Sequence, residues 1–324
     1  MSPPIVAPGT PPLGTGRTAD VFDWQPGWVL KLFLAGLPRA CADAESRIAR
    51  AVHAAIDDCA PFRVPAVGPT IDVGARAGIV YARAEGEPLT RAAAGLGDDR
   101  PAPVRIGERL AQLHLGIHRI DVRAHPSLDA VPGQQQRLRL AIRAADGLAD
   151  ERRIALLREL EELDDDAQSL CHGDFHPFNV LQDTNGMATV IDWNLAERGS
   201  APCDVAKTSV RLLFAPMAGA ARIASAQAGM RRAVHDAYLR RYFAADANGR
   251  GRAAYERWLP LAAAARLVEG AVSDERAALL AFIERRIARE PSAFAPPRPM
   301  PAIGSPHPAA NRPGSGNAHH EGTS

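Results

Sequence analysis

Leu170-Cys171-His172-Gly173-Asp174-Phe175-His176-Pro177-Phe178-Asn179-Val180-Leu181 holds the densest chemistry in the chain, followed downstream by Val190-Ile191-Asp192-Trp193. Asp174 stands five positions before Asn179, and Asp192 closes a short apolar run eighteen positions after Asp174. Phosphoryl transfer asks a protein mainly to position groups and neutralise charge. It needs one carboxylate beside the attacking hydroxyl, and an Asn and a second carboxylate on Mg²⁺. Asp174 is the candidate base, a role worth about 10²–10⁴ in rate, or about 3–5 kcal/mol. Asn179 offers a side-chain carbonyl to Mg²⁺, which prefers oxygen ligands, and Asp192 is the candidate main metal ligand. His172 and His176 read as hydrogen-bonding braces of the loop, since no further ligand spacing makes them a metal pair.

Upstream, Lys31 lies mid-strand in Val29-Leu30-Lys31-Leu32-Phe33. A charge there is costly unless paired. Glu45 on the following helical run is the expected partner, with Asp43 as the alternative, and the pair would hold an ammonium against nucleotide phosphates. Gly14-Thr15-Gly16-Arg17-Thr18-Ala19-Asp20-Val21 follows G-x-G-x-x-G-x-V except at Ala19. Gly14 and Gly16 would let backbone N–H groups approach those phosphates. Taken singly each element has an ordinary reading: a hairpin glycine, an edge-strand lysine, a solvated helix glutamate. Their common order and spacing favour the joint reading.

The remaining pattern predicts how the chain is divided. Residues 1–12 are Pro-rich and read as irregular. Thr18–Asp23 and Trp28–Phe33, split by Gln25-Pro26-Gly27, predict an antiparallel hairpin. Arg39–Ala55 predicts a helix, and Val64–Thr70 and Ala77–Ala82 two more strands. From residue 87 helical periodicity dominates: Val104–Ile120, Arg137–Ala149, Glu151–Leu163, Ala201–Phe214, Ala221–Ala245 and Arg252–Arg289, the last with a break expected near Pro260. Short strand candidates, Ser169–Cys171, Val180-Leu181 and Thr189–Asp192, bracket the motif. The order is not the strand–helix alternation of a doubly wound sheet. It predicts an α+β, two-lobed protein, with a small mixed lobe at 13–86 built on an antiparallel sheet and a larger, mainly helical lobe at 87–290. Residues 291–324 fill with Pro, Gly, Ser, Asn and His and predict a disordered tail.

Bulk composition narrows the classes. At 324 residues the chain is long enough for two lobes. Charged residues are 23% with a formal net charge of +1, which gives no global field toward nucleic acid or an anionic membrane. The four cysteines, Cys41, Cys59, Cys171 and Cys203, show no C-x-x-C pair and read as reduced thiols. The N-terminal stretch lacks the basic start and apolar run of a signal peptide, and Leu259–Val272 is broken by Pro260, Arg266 and Glu269. The expectation is a soluble, cytoplasmic protein without nucleic-acid or membrane partners.

The quoted residues resemble the aminoglycoside phosphotransferase and choline kinase family, whose members share the protein-kinase-like fold. His172-Gly173-Asp174-Phe175-His176-Pro177-Phe178-Asn179 is similar to the family's H-G-D-x-H-x-x-N. Val190-Ile191-Asp192-Trp193 resembles its apolar-I-D-W, and Ala201-Pro202-Cys203-Asp204-Val205-Ala206 its D-P-x-x-D-L-A. Leu110-Ala111-Gln112-Leu113-His114 resembles the L-A-x-L-H helix of the C-terminal lobe. The resemblance runs over about residues 13–285. It implies Asp174 as catalytic base, Asn179 and Asp192 as Mg²⁺ ligands, Asp204 as a structural brace of the motif loop, and ATP, with GTP as an alternative donor. Three departures stand out: Phe178 where a Gly is frequent, Ala19 in the phosphate loop, and a Pro-rich segment where the first strand would be.

A protein kinase has the same Asp-to-Asn spacing in H-R-D-x-x-x-x-N, but Gly173 replaces the Arg and Ile191-Asp192-Trp193 stands in place of D-F-G. Only eleven residues separate Asp192 from Asp204, too few for a typical activation loop, and no A-P-E follows. A non-catalytic nucleotide-binding pseudokinase would be expected to lack Lys31, Asp174 or Asp192, and all three are present. A dinucleotide fingerprint needs a strand before and a helix after Gly14-x-Gly16, whereas Pro11-Pro12 precedes and a hairpin follows. The expectation is an ATP-dependent, Mg²⁺-dependent kinase acting on a hydroxyl of a small molecule: aminoglycoside-like, an amino alcohol or a sugar. For a cationic acceptor, Glu197, Glu269, Asp274 and Glu275 are the available carboxylates. For a choline-like one, Trp193, Trp258, Tyr238, Tyr242 and Tyr255 are the available aromatics.

Overall fold

The computed structural model describes residues 10–92, 99–163, 167–215, 221–269 and 271–289. The expected tail at 291–324 and residues 1–9 of the Pro-rich start lie outside the described residues. In chain order the strands and helices are β1 (Gly14–Thr15), β2 (Ala19–Gln25), β3 (Trp28–Phe33), α1 (Arg39–Ala55), β4 (Phe62–Arg63), β5 (Val67–Val73), β6 (Arg76–Ala82), β7 (Glu87–Pro88), α2 (Leu89–Ala92) and α3 (Ala102–His118). There follow α4 (Gln134–Ala144), α5 (Asp150–Glu162), β8 (Ser169–Cys171), β9 (Val180–Gln182), β10 (Ala188–Val190), β11 (Glu197–Gly199), α6 (Ala201–Phe214), α7 (Ala221–Tyr242), α8 (Arg250–Val268) and α9 (Ser273–Arg289).

An antiparallel five-stranded sheet in the order β1-β2-β3-β6-β5 forms the N-terminal part. The period-2 alternation of β3 explains its two faces. Leu30 and Leu32 pack with Phe22 and Val80 on one side, while Phe33 packs with Ala42 of α1 on the other. Lys31 shares the Phe33 parity. The buried stripe of α1 (Ala42, Glu45, Ile48, Ala49, Val52) follows helical spacing. Ile48 and Val52 continue into the large helical core, so α1 ties the sheet to the C-terminal part.

That larger part is mainly helical. α3 packs along α7, α6 along α8, and α9 along α8. Gly107 of α3 faces the backbone of α7 so closely that a Cβ would collide with Val234 O and Tyr238 N. A small sheet in the order β4-β10-β9-β7 and the pair β11-β8 hold the motif loop against this body. The chain is thus an α+β, two-lobed fold of the protein-kinase type. The expected helical break at Pro260 is not found. α8 runs through Pro260, and the helix ends after Val268 to restart at Ser273. Among the described residues no helix is long and apolar enough to cross a membrane.

Candidate active site

Asn179 and Asp192 are thirteen positions apart in sequence and adjacent in space because of a hairpin. β9 and β10 pair antiparallel with Val180 opposite Val190, and Ile191 N donates to Asn179 O at 3.0 Å. Asp192 follows in a left-handed conformation, φ 64° and ψ 58°, the one positive-φ non-glycine among the described residues. Such backbone strain persists where the surroundings over-determine it, and it clusters at functional sites. Asn179 Nδ2 donates to Asp174 O at 2.9 Å, which commits the amide nitrogen and leaves Oδ1 as its acceptor atom. Asn179 Oδ1 and the Asp192 carboxylate are the hard oxygen donors that suit a small divalent cation.

Lys31 Nζ donates to Glu45 Oε1 and to Asp192 Oδ1, both at 2.8 Å. The side chain of Lys31 is 14% exposed and that of Glu45 5%. Tyr81 OH donates to the same Glu45 oxygen at 3.0 Å. Burial pulls the Lys31 pKa down, but the two carboxylates outweigh it and hold the ammonium charged well above its ordinary value. Burial pushes Asp192 up, and the Lys31 charge more than reverses this, leaving Asp192 below the usual carboxylate range. Glu45 stays above its ordinary value because burial outweighs Lys31. Asp43, the alternative partner, instead lies 3.7 Å from Arg39.

The loop carrying Asp174 hangs from a single carboxylate. Asp204, in the first turn of α6 and fully buried, accepts from His172 N at 2.6 Å and Gly173 N at 3.0 Å. His114 Nε2 and His118 Nε2 of α3 approach its Oδ2 at 3.0 and 3.3 Å. Tyr238 OH and Tyr242 OH of α7 lie 2.7 and 2.6 Å from the two Nδ1 atoms. The two histidines and Asp204 have the spacing of a metal site, yet these contacts already engage both oxygens and all four ring nitrogens. Burial lowers the His114 pKa to about 3, so it stays a neutral hydrogen-bonder. His172 Nε2 donates to Ile191 O at 3.0 Å and its Nδ1 accepts from Asp174 N at 3.3 Å, a brace that ties the loop to the strand leading into Asp192. Gly173 has φ 79°, and a Cβ there would collide with Leu195 O. His176 Nδ1 accepts from Phe178 N at 3.3 Å. Phe178, at the position of the first family departure, is 65% exposed.

Asp174 is buried to within 13% of its side-chain surface. Burial raises its pKa to about 7 against the opposing charge of Arg211, with Glu269 and Asp192 adding to the rise. Arg211 Nε of α6 lies 2.5 Å from Asp174 Oδ1 without hydrogen-bond alignment, and its Nη2 lies 3.2 Å from Glu269 Oε2. His176 Nε2 stands 3.8 Å from the same Asp174 oxygen. Arg17, from the glycine-rich stretch, reaches across and donates to Glu269 O.

Gly14 and Gly16 frame the turn between β1 and β2. Leu13 N donates to Val21 O and Gly16 N to Ala19 O, at 2.7 and 2.8 Å. The first strand is two residues long, and a hairpin rather than a helix follows it, which removes the dinucleotide reading. Next to the motif loop, a cavity of about 180 Å³ reaches Gly173, Lys207, Glu197 and Glu269. Lys207 and Glu197 form a buried pair at 2.6 Å.

Arg211, Arg17, Lys207 and Tyr81 are absent from the sequence-based set. The only signal for Arg211 is its place on α6. It lies seven positions after Asp204, two helical turns along the same face, as Lys207 lies three after it.

Comparison with known proteins agrees with this arrangement. The family model described as the phosphotransferase enzyme family matches residues 11–255. Comparison with curated protein sequences returns no match. Among solved structures, a thermostable mutant of aminoglycoside phosphotransferase APH(4)-Ia, in ternary complex with AMP-PNP and hygromycin B, superposes with a TM-score of 0.57 at 18% identity. The superposition covers 87% of this chain and 93% of that one. The GDP and kanamycin complex of APH(2")-IIia gives 0.53 at 16% identity, covering 86% and 93%. With most of its length matched by one family model, and the motif loop held in a two-lobed kinase-like fold, the chain belongs to the phosphotransferase enzyme family.

Proposed function

We propose that the protein transfers the γ-phosphoryl group of ATP, with GTP as an alternative donor, to a hydroxyl of a small molecule in a Mg²⁺-dependent reaction. One observation carries the reading. Lys31, Glu45, Asn179 and Asp192 come from four separate segments and converge beside Asp174. The nucleotide would lie between the sheet of residues 13–86 and the helical body of 87–290, with the backbone of Gly14 and Gly16 over its phosphates. Lys31, steadied by Glu45, would contact the phosphates. Asn179 and Asp192 would hold Mg²⁺, which supplies charge neutralisation at the transferring group when bound.

Asp174 orients the acceptor hydroxyl and takes its proton as the new O–P bond forms. His172, His176 and Asp204 keep the loop rigid, so that Asp174 meets the hydroxyl without reorganisation. The short segment between Asp192 and Asp204 is filled by a 3-10 turn, β11 and the start of α6. It offers no extended platform for a peptide, which favours a small acceptor.

The test is a nucleotide-turnover screen over hydroxylated metabolites and aminoglycosides with and without Mg²⁺. Turnover is expected to need the metal and to vanish in Asp174→Asn and Asp192→Ala proteins whose circular dichroism is unchanged. Full turnover by Asp174→Asn would remove the assigned base. Mg-ATP binding without turnover on any acceptor would favour the pseudokinase, and efficient labelling of generic protein substrates the protein kinase.

A further inference from the structure

The side of Asp174 that faces away from Lys31 has an unusual charge pattern for a kinase whose structural neighbours include aminoglycoside complexes. Three of the four carboxylates available to meet a cationic acceptor are already engaged. Glu197 pairs with Lys207 at 2.6 Å and lies 3.9 Å from Arg137. Glu269 pairs with Arg211 at 3.2 Å and lies 3.7 Å from Arg266. Glu275 is gripped by Arg266 through two contacts, at 2.7 and 3.1 Å. Asp274 is exposed on the first turn of α9. Around the catalytic loop, the five cations Arg17, Arg137, Lys207, Arg211 and Arg266 therefore meet the five carboxylates Asp174, Glu197, Asp204, Glu269 and Glu275, each of them already contacted by a cation or held by hydrogen bonds. A polycation entering here would find each of these carboxylates already occupied.

The cavity beside Gly173, about 180 Å³ in volume, sets apolar Leu138, Leu195 and Val268 beside the charged Arg137, Lys207 and Glu197.

Arg211 has the geometry of an anion receptor. Its Nε sits at Asp174 without hydrogen-bond alignment, its Nη2 meets Glu269, and among the described residues Nη1 makes no hydrogen bond. A planar guanidinium with an open donor edge suits a carboxylate or phosphate, which it can take through two parallel hydrogen bonds. We propose that the acceptor is a small hydroxylated anion, bearing a carboxylate or a phosphate monoester, whose charge is held by Arg211 while its hydroxyl meets Asp174. The proposal rests on the phosphotransferase reading above and narrows its substrate class. In the transfer, the hydroxyl oxygen bonds to the γ-phosphorus and its proton goes to Asp174. The bond from that phosphorus to the bridging oxygen breaks, and ADP leaves with the electron pair. Arg211 remains the counter-ion of the acceptor's anionic group throughout, so it is a binding and specificity residue.

The experiment measures Mg-ATP turnover on matched acceptors that differ in charge. Glycerate and glycerol 3-phosphate are set against glycerol, gluconate and glucose 6-phosphate against glucose, and kanamycin is the polycation. At least one anion is expected to exceed its neutral counterpart tenfold or more in kcat/KM, and the better class separates carboxylate from phosphate recognition. In Arg211→Gln that ratio is expected to fall at least tenfold, mainly through KM, and Arg211→Lys is expected to recover part of it. Equal or faster turnover of glycerol, glucose or kanamycin would overturn the proposal. So would failure of all four anions either to be phosphorylated or to slow Mg-ATP hydrolysis. Loss of Mg-ATP binding and turnover altogether would instead remove the phosphotransferase reading, and this proposal with it.

Discussion

Asp174 and Arg211 oppose each other across 2.5 Å. Burial holds the carboxyl near pKa 7, and the guanidinium limits that rise. A base works only when ionised. kcat/KM is therefore expected to climb about tenfold per pH unit below about 7 and to flatten above it. Replacing Arg211 with Gln removes the charge that pulls this pKa down, so the acid limb should move to higher pH. A pH–rate profile of the two proteins checks both statements, and an unmoved midpoint would mean that Arg211 does not act on Asp174. At this scale the sequence was informative where a residue type sits in a spaced motif: Asp174, Asn179, Asp192, Lys31 and Glu45 come together in one place. It was silent on Arg211 and Arg17, because an arginine on a helix face or in a turn looks the same whether it faces water or a buried carboxylate. Only the fold decides which of the two it meets.

Between elements, the single carboxylate of Asp204 joins α6 to α3 and to the loop after β8. Asn at this position would keep the size but turn an amide N–H₂ toward donors that need an acceptor. Leaving buried donors without their acceptor costs about 1–3 kcal/mol. Asp204→Asn is expected to lower unfolding free energy by that amount in urea titration and to reduce turnover along with it. A loss below 1 kcal/mol would show that the loop is held by other contacts. The helices were readable because periodicity over ten or more residues marks them; Arg39–Ala55 and Ala201–Phe214 have the limits expected from the sequence. β4, β7 and β11 were not, since two or three residues are too short to show any alternation. Pro260 misled because a proline inside a helix is usually a break, whereas here the buried surroundings on both sides keep α8 continuous.

Across the whole molecule, Lys31 of the N-terminal sheet and Asp192 of the larger lobe form an ion pair that joins the two lobes. A ligand that binds only the folded state stabilises it by mass action, about 2.7 kcal/mol at a hundredfold excess over Kd. Mg-ATP is expected to raise Tm measurably in the wild type and to do so much less in Lys31→Met. The same substitution leaves Glu45 buried without its cation and should lower the baseline Tm on its own. Thermal denaturation with and without Mg-ATP separates the two effects, and an undiminished shift in Lys31→Met would place the nucleotide elsewhere. The two-lobed order was legible from the switch between strand-like and helical periodicity near residue 87.

Helix α6 has a consequence for how such an enzyme diversifies. Asp204, Lys207 and Arg211 project from one face, the first into the loop scaffold, the second onto Glu197 and the third onto Asp174. In the proposed reading, scaffold and specificity are carried on one rigid rod, with Arg211 two turns, about 10 Å at 1.5 Å per residue, beyond Asp204. Libraries that vary Lys207, Arg211 and the facing apolar walls should yield new acceptor preferences with the reaction intact. Libraries that include Asp204 should yield mostly unfolded clones. Innovation and fragility in this protein are neighbours on a single helix, divided by position along it.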